Sequence, residues 1–391
     1  MIIITKDVKN FFFLFSGSIF SQIFNLINLS LIIKYFPKIE VADYFYLQAI
    51  IAVVVGLFFF GFDKLLLYEQ KKTNIHEKNL NTHVFCVFII LLLTLIFFNK
   101  SFYFTVNIFF LCSAYYFEII NTIRKKYIYN AIYKLILPCI FFLFILQREI
   151  LYLKDIDLIV IFTISNFISW LLIIFFNVNN ILKVQFNFLL KRPNIKNNFK
   201  IWLSDSIPLL AFSLPTIFFK FFEAQNLLIG YNIILRFGFM PIFFINSVVS
   251  KFCDLKFNEL RNKSKFFNLI KDSISKLFLF SFIYFFVFNF VIFMAANYNI
   301  IDFYNFSIYL HLFSILFLFN IVVGSLGGVF LIDKKYNELN IIVLSLLIVN
   351  ILCLIIYIIT NNYNNFFVYL FIFSMLRVIF IFYRLNRIVT S

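Results

Sequence analysis

The chain is a succession of long apolar runs separated by short polar segments. A membrane-spanning helix needs about 20 mostly apolar residues, and within the hydrocarbon every backbone N–H and C=O group must be paired inside the protein. The pattern therefore predicts twelve transmembrane helices. Their ranges are 11–33, 44–62, 84–98, 104–120, 128–147, 158–176, 207–223, 229–250, 274–294, 304–330, 339–359 and 366–383.

The longest polar connection lies near the middle of the chain. It is basic, and it separates six predicted spans from six more. Internally duplicated transporters have this arrangement. We therefore predict an all-α polytopic membrane protein in two six-helix lobes. The N-terminal lobe covers 1–176, a basic cytoplasmic linker 177–206, and the C-terminal lobe 207–391.

Composition supports the same class. Of the 391 residues, 63% are hydrophobic and 13% are charged, whereas soluble domains carry about 25% charged residues. A soluble globular domain is thereby excluded. The five cysteines are scattered and have no metal-ligand spacing, and the sequence contains no GxxxxGK, GxGxxG or HExxH motif. We expect neither a metal nor another cofactor.

The basic residues predict the orientation of the chain. With the N-terminus inside, 25 of the 34 Lys and Arg residues fall on the cytoplasmic side, five fall on the opposite side and four lie within spans. Cytoplasmic loops are enriched in Lys and Arg, so both termini are predicted to be cytoplasmic. The same bias accounts for the net charge of +16, and we expect contacts with anionic membrane lipids rather than nucleic acid.

Polar residues recur at helical spacing in the first and seventh spans. One stripe contains Ser18, Ser21, Asn25 and Asn28, widened by Gln22, and the other contains Ser213, Thr216, Lys220 and Glu223. Each set occupies one helix face. The motifs "ADYFYL" at 42–47 and "IGYNII" at 229–234 follow the two stripes. These faces either line a shared cavity or serve ordinary helix packing.

Charges inside predicted spans are the main candidates for function, because a buried charge in a membrane helix costs about 2.5–3.5 kcal/mol on insertion scales. Lys220 and Arg236 are predicted at similar heights across one hairpin, with Glu223 one turn above Lys220. Alternatively, Lys220 reaches the outer headgroups and pairs with Glu223. We expect Arg377 to extend towards the inner headgroups and Glu118 to pair with Arg124 or Lys125.

Two segments resemble a known family. "FFFLFSGSIFSQIFNLINLSLIIKYFPKIEVADYFYLQAIIAVVVGLFFFGFDKLLL" resembles the first spans of polysaccharide-export flippases, and "IPLLAFSLPTIFFKFFEAQ" with "IGYNIILRFGFMPIFFINSVVSKF" resembles their seventh and eighth spans. The family is that of the Wzx-type O-antigen flippases. It belongs to the superfamily that includes multidrug and toxic-compound extrusion (MATE) transporters and the lipid II flippase.

The resemblance implies a MATE-like fold of two lobes around a central cavity. It also implies a flippase of the bacterial inner membrane that translocates a polyprenyl-diphosphate-linked oligosaccharide by alternating access, for O-antigen or capsule-type polysaccharide. A polysaccharide polymerase and a chain-length regulator are candidate partners. We expect the substrate to be bound by Lys220, Arg236, Gln22, Asn25, Asn28 and Asn232, and a coupling ion by Glu223.

Two other functions fit the pattern less well. A MATE-like ion-coupled exporter of small molecules would use carboxylates in its cavity, whereas the charges of these spans are mainly basic. A membrane polymerase or glycosyltransferase would present a large external loop and paired carboxylates, and the predicted external loops are all about ten residues or shorter. We therefore predict that the protein is not an enzyme.

Overall fold

A computed structural model gives the fold of the protein. It describes residues 6–58, 102–123, 127–150, 156–181, 195–239, 278–279, 281–290, 292–293, 307–325 and 336–390. These residues are helical, apart from short connections and turns, and contain no β-strand. Two compact units divide the chain, Met1–Leu209 and Leu210–Ser391.

The described residues of the first unit contain a helix at five of the predicted spans and the beginning of a sixth helix. The predicted span at 84–98 lies outside the described residues. The helices are α1 Lys6–Tyr35, α2 Lys38–Phe58, α3 Phe102–Ile123, α4 Tyr127–Ile150, α5 Leu158–Ile181 and α6 Ile195–Phe221, which continues into the second unit.

The described helices of the second unit likewise match predicted spans. They are α7 Gln225–Ile234, followed by the π-helical turn Leu235–Phe239, then α8 Ser281–Phe290, α9 Ser307–Ser325, α10 Tyr336–Thr360 and α11 Tyr363–Thr390. Among the described helices, seven are long and apolar enough to cross a membrane, and α8 and α9 contain shorter apolar segments.

One end of the first unit is closed by polar groups from three helices. Pro37 disfavours helix for the residue before it, and α2 begins immediately after it. The Glu40 carboxylate accepts a hydrogen bond of 3.1 Å from the N–H of Leu158, the first residue of α5. Arg148 donates through Nε to the Ile156 carbonyl at 3.2 Å. The first bond satisfies an N–H group that the start of α5 leaves unpaired, and the second pairs a carbonyl group of the connection before α5.

Aromatic clusters form the core of each unit. Tyr44 stacks on Phe141 and meets Phe162 edge to face, with ring centroids 5.8 and 5.2 Å apart. In the second unit, Phe219 is fully buried and meets Phe366 edge to face at 5.0 Å. Such pairs contribute about 0.5–1.5 kcal/mol beyond their buried area. They join α2, α4 and α5 in the first unit and α6 and α11 in the second.

The first half of α6 packs against the end of α2. Ser206 donates to the Gly56 carbonyl at 3.2 Å, and Trp202 Nε1 donates to the Leu57 carbonyl at 3.3 Å. α6 begins at Ile195, twelve residues before the predicted span at 207. Its added turns are too polar to be detected by a search for apolar runs, so the C-terminal part of the predicted linker is helical.

Helices α1 and α4 approach each other closely at Gly17. A Cβ added to Gly17 would lie 2.5 Å from the Ala131 Cβ and 2.7 Å from its Cα. These atoms cannot rotate away, so the two helices would have to move apart. Gly56 provides a contrast, because a Cβ there would meet only the terminal Cδ1 of Leu209, at 2.3 Å, and a leucine side chain can change rotamer.

We therefore expect Gly17→Ala to lower the free energy of unfolding by about 1–3 kcal/mol, the usual cost of overpacking, and Gly56→Ala to lower it less. Both substitutions add one methyl group to a helical glycine, so their effects on helix propensity cancel in the comparison. Thermal unfolding of the detergent-purified variants measures the difference. Equal losses would contradict the close packing of α1 on α4.

Candidate functional site

The hairpin of α6 and α7 carries four of the predicted site residues, and a tight turn joins the two helices. α6 ends at Phe221, and Glu223 has a left-handed conformation with φ of 55°. The N–H of Ala224 donates to the Phe219 carbonyl at 2.8 Å, and that of Glu223 donates to the Lys220 carbonyl at 3.2 Å. The two bonds form a Schellman motif, which satisfies the last carbonyl groups of a helix.

Lys220 and Glu223 consequently lie at the helix end and not in its middle. Lys220 is the penultimate residue of α6 and is half-buried, whereas Glu223 is exposed. A cation in the last turn of a helix is stabilised by the helix dipole, and the long lysine stem lets the ammonium reach the headgroup region. Because Glu223 is left-handed, it leaves the helical stripe predicted through Thr216 and Lys220.

Asn232 joins α7 to α6 by a hydrogen bond. It is 3% exposed, and its Nδ2 donates to Thr216 Oγ1 at 3.0 Å and to the Leu228 carbonyl at 2.8 Å. The neighbouring Tyr231 hydroxyl donates to the Phe212 carbonyl at 3.1 Å. The structure thus brings together two polar residues that the sequence singled out, Thr216 and Asn232. Both Nδ2 bonds of Asn232 are made within the hairpin itself.

Arg236 lies in the π-helical turn Leu235–Phe239, which continues α7 and contacts α9. Its side chain is half-buried. A π-helical turn departs from the i→i−4 hydrogen-bond pattern and frequently occurs at functional sites. The amino-acid sequence carries no signal for this turn, because the residues around Arg236 are apolar and continue the pattern of a regular span.

The two cations of the hairpin lie at different depths, so the expectation of similar heights is wrong. α7 begins at Gln225, four residues before the predicted start at 229. Arg236 is eleven residues beyond Gln225, which places it about 16 Å from the turn at a rise of ~1.5 Å per residue. Lys220 is adjacent to the turn. The earlier helix start moves Arg236 deeper into the span.

The amide stripe of α1 belongs to the first unit. Asn28 is 3% exposed, and its Nδ2 donates to the Pro138 carbonyl of α4 at 2.9 Å. The Oδ1 of Asn28 and the Oε1 of Gln22 are enclosed and accept no hydrogen bond from the described residues. Asn25 is half-buried on the same helix. Two amide oxygens of the stripe therefore keep their acceptor capacity.

An ion pair between α3 and α4 was not predicted. The Lys134 ammonium lies 3.3 Å from Glu118 Oε1, and about a quarter of each side chain is exposed. Beside the pair, the buried Asn130 donates to the Glu118 carbonyl at 3.1 Å, and Asn121 donates to the Tyr133 hydroxyl at 3.3 Å. The partners expected for Glu118, Arg124 and Lys125, lie outside the described residues.

A second amide network joins α3 to α5. Asn107 is fully buried, donates to Thr163 Oγ1 at 2.8 Å and accepts from Asn166 Nδ2 at 2.7 Å. Nearby, Trp170 Nε1 donates to Ser113 Oγ at 3.0 Å. The network is closed within the first unit. In the described part of the chain, no three His, Cys, Asp or Glu residues are placed to hold a metal ion.

Comparisons with known proteins identify relatives of the fold. No family model matches the chain, and no curated protein matches it. Among solved structures, the MATE multidrug transporter DinF-BH superposes with a TM-score of 0.71 at 12% identity, over 97% of this chain and 94% of that one. An outward-facing multidrug resistance MATE transporter of the MOP superfamily gives 0.69 at 12% identity, over 98% and 96%.

The lipid II flippase MurJ, in an inward closed conformation, gives a TM-score of 0.67 at 16% identity, over 95% of this chain and 87% of that one. The chain has the MATE-type transporter fold. This confirms the predicted all-α, polytopic, MATE-like architecture. At these identities the likeness shows the fold alone. The solved proteins that share it are transporters and flippases rather than enzymes.

The Glu118–Lys134 pair can be tested by a double-mutant cycle. Glu118→Gln or Lys134→Gln leaves the other charge without this partner inside a helix pair, so we expect each single change to destabilise the protein. The double change removes both charges, and we expect it to recover part of the loss, with a coupling of about 0.5–3 kcal/mol. Unfolding in mixed micelles measures the four free energies. Additive losses would show that the pair contributes nothing.

Proposed function

We propose that the protein is a flippase that translocates a polyprenyl-diphosphate-linked oligosaccharide across the bacterial inner membrane by alternating access. The observation that carries this proposal is the position of Arg236, whose backbone lies about 16 Å into the hairpin, in a π-helical turn. The fold supports it, because the same architecture is used by a lipid II flippase over 95% of this chain.

Arg236 has the chemistry that a diphosphate requires. The planar guanidinium of arginine donates two parallel hydrogen bonds to phosphate oxygens, and its charge persists at any physiological pH. An anionic headgroup would in turn offset the cost of holding that charge inside the membrane. Lys220, adjacent to the turn, provides a second cation at the end of α6, where the diphosphate would arrive or leave.

The amides supply contacts for sugars. The enclosed oxygens of Gln22 and Asn28 accept no hydrogen bond from the described residues, and in the proposed cycle sugar hydroxyl groups donate to them in a conformation that uncovers this face of α1. Asn25 and Asn232 complete the set of proposed contacts. Because Asn28 and Asn232 already use their Nδ2 groups within the protein, we assign them the role of acceptors. O-antigen or capsule-type polysaccharide assembly, with its polymerase and chain-length regulator, is the proposed setting.

A deletion strain provides the first test. Without the protein, we expect single lipid-linked repeat units to accumulate on the cytoplasmic side of the membrane, as measured by their protection from an external glycosidase in right-side-out vesicles. Complementation should return the units to the outer leaflet. Accumulation of single units on the outer side would instead indicate a polymerase and would refute the flippase.

Variants of the hairpin test the role of its cations at equal membrane abundance. We expect Arg236→Gln to lower translocation by about tenfold or more, since hydrogen bonds to charged groups are among the strongest single contacts. Arg236→Lys should restore part of it, and Lys220→Gln should have the smaller effect.

Lys34→Gln is the matched control for Lys220→Gln. Lys34 is the penultimate residue of α1, as Lys220 is of α6, so both changes remove one cation from a helix end. Loss of translocation in Lys220→Gln but not in Lys34→Gln supports substrate contact. Undiminished export in the double variant Lys220→Gln, Arg236→Gln would refute the proposed diphosphate site.

The second candidate is a MATE-like ion-coupled exporter of small molecules, which is favoured by the likeness to multidrug transporters. Here Glu223 would carry the coupling ion, from its exposed position in the turn.

Glu223→Gly separates coupling from folding. Glycine adopts positive φ without strain, so we expect this variant to be at least as stable as the wild type, by up to about 1 kcal/mol. If Glu223 carries the coupling ion, transport by the variant becomes insensitive to the ion gradient while its melting temperature is maintained. Transport that still follows the gradient would remove Glu223 from coupling.

A further inference from the structure

A groove between α10 and α11 in the second unit has no role in the proposed translocation. It is open on one side and has a volume of about 300 Å³. Its two polar residues are Ser345 on α10 and Arg377 on α11; the rest of the lining is apolar. The apolar residues are Ile348, Val349, Leu352, Phe373, Leu376 and Phe380.

Arg377 lacks a carboxylate partner in the described part of the chain, unlike the next arginine of the same helix. Its Nε donates to Ser345 Oγ at 3.2 Å. Arg384, seven residues further on, lies 2.9 Å from the Glu338 carboxylate and covers the Phe380 ring at 5.2 Å. Along α11, Arg384 is thus paired with a carboxylate, whereas Arg377, two turns earlier, has the Ser345 hydroxyl group as its hydrogen-bond partner among the described residues.

Arg377 lies deeper in the span of α11 than Arg384, so the absence of a carboxylate partner among the described residues costs more there. α10 and α11 are antiparallel helices that are apolar enough to span the membrane. Ser345 and Arg377 face each other across them. Each lies six residues inside the predicted end of its span, which corresponds to about 9 Å at a rise of ~1.5 Å per residue. A cation at this depth is unfavourable unless an anion or water accompanies it. The groove opens among apolar side chains that are exposed in the second unit, such as Leu352 and Leu376, 42% and 57% exposed, and such an apolar rim is suited to contact with acyl chains.

The apolar part of the groove extends deeper into the membrane than its charge. Ile348 and Leu352 lie one and two turns beyond Ser345 along α10, and Phe373 lies one turn beyond Arg377 along α11. An occupant must therefore present an anion at the level of Arg377 and an apolar chain towards the membrane centre. Phospholipids of the nearer leaflet have this arrangement and surround the protein in large excess.

We propose that this groove is a binding site for one anionic phospholipid of the bilayer. The lipid phosphate accepts hydrogen bonds from the terminal nitrogens of the Arg377 guanidinium, whose Nε remains on Ser345. One acyl chain lies along Ile348, Leu352 and Phe373. The lining offers two polar side chains and no cluster of amides for sugars, which favours a phospholipid over a lipid-linked oligosaccharide. This site does not depend on the flippase proposal.

Native mass spectrometry of the full chain tests the proposal. The detergent-purified protein is delipidated and mixed with equal amounts of phosphatidylglycerol and phosphatidylcholine of the same chain length. We expect one phosphatidylglycerol per chain to be retained at least about tenfold more than phosphatidylcholine. Both lipids carry a phosphate, but the choline ammonium cancels its charge and is repelled by the Arg377 guanidinium, so only phosphatidylglycerol brings a net negative charge to the groove. Equal retention of the two lipids would overturn the proposal.

Two charge variants locate the site. Arg377→Gln should lose the preference for phosphatidylglycerol, and Arg377→Lys should keep part of it. Arg384→Gln is the matched control, since it removes one cation from the same helix at a position already paired with Glu338; we expect its preference to stay within about twofold of the wild type. If Arg377→Gln and Arg384→Gln lose the preference for phosphatidylglycerol equally, the basic protein attracts anionic lipid through its overall charge. That result would overturn the proposed site.

A variant that fills the groove tests its apolar part with the charge intact. Leu352→Trp places a large ring where the chain is proposed to lie, so we expect it to lower phosphatidylglycerol retention while the melting temperature without lipid is maintained. Retention equal to that of the wild type would place the lipid elsewhere. A polyprenyl phosphate that displaces phosphatidylglycerol at equal concentration would overturn the choice of occupant, whatever the outcome for translocation.

Discussion

Polar groups inside a membrane must find their partners within the protein, and the arrangement of this chain depends on that constraint. Many polar side chains of the spans donate back to their own helix, four residues earlier. Ser165 donates to the Ile161 carbonyl at 2.7 Å, and Asn350 donates to the Leu346 carbonyl at 2.9 Å. A polar residue on a membrane helix is therefore satisfied locally before any cavity is considered, and a polar stripe alone is weak evidence for a transport path.

This constraint affects hydrogen-bond donors and acceptors differently. A helix uses its N–H groups internally, whereas each carbonyl oxygen keeps a second lone pair. The NH₂ group of a buried amide thus finds an acceptor on its own or a neighbouring helix, but the amide oxygen finds no backbone donor. Asn28, Asn350 and Gln22 each keep an enclosed oxygen that accepts no hydrogen bond from the described residues. Such an oxygen needs a donor from a side chain, a cation or water, as Asn166 Nδ2 provides for the amide oxygen of Asn107 at 2.7 Å.

The existence of the helices was predictable from the sequence, because a span of 20 apolar residues leaves few alternatives. Their ends were not. α6 begins at Ile195 because a polar helix continues beyond the membrane, and it ends at Phe221 because Glu223 takes a left-handed conformation. Neither the start nor the end of α6 can be recognised from the pattern of apolar residues. The π-helical turn at Arg236 and the Glu118–Lys134 pair were missed for a related reason, since both depend on contacts between helices distant from any local pattern.

The helix ends also clarify the internal repeat. Tyr44 and Tyr231 are each the seventh residue of their helices, α2 and α7, each is 3% exposed and each belongs to an aromatic cluster. The repeat in the two motifs "ADYFYL" and "IGYNII" is thus matched by equal helix positions. The polar stripes of α1 and α6 do not follow the same alignment. When the two helices are aligned by their ends, Lys34 corresponds to Lys220, because both are penultimate residues. When they are aligned by the spacing of the stripes, Asn28 corresponds to Glu223.

Comparing equal helix positions in the two units distinguishes residues that occur in both from residues that occur in only one. A lysine that recurs at the end of equivalent helices is well placed to reach the headgroup region, so Lys220 is weaker support for a bound anion than Arg236. Arg236 is the twelfth residue counted from the start of α7, and the twelfth residue of α2 is Ala49, which is 9% exposed and apolar. The equivalent position of the first unit thus holds a small apolar side chain. Because a charge inside a span is costly to insert, Arg236 is the feature of the second unit on which the proposed contact with a diphosphate depends.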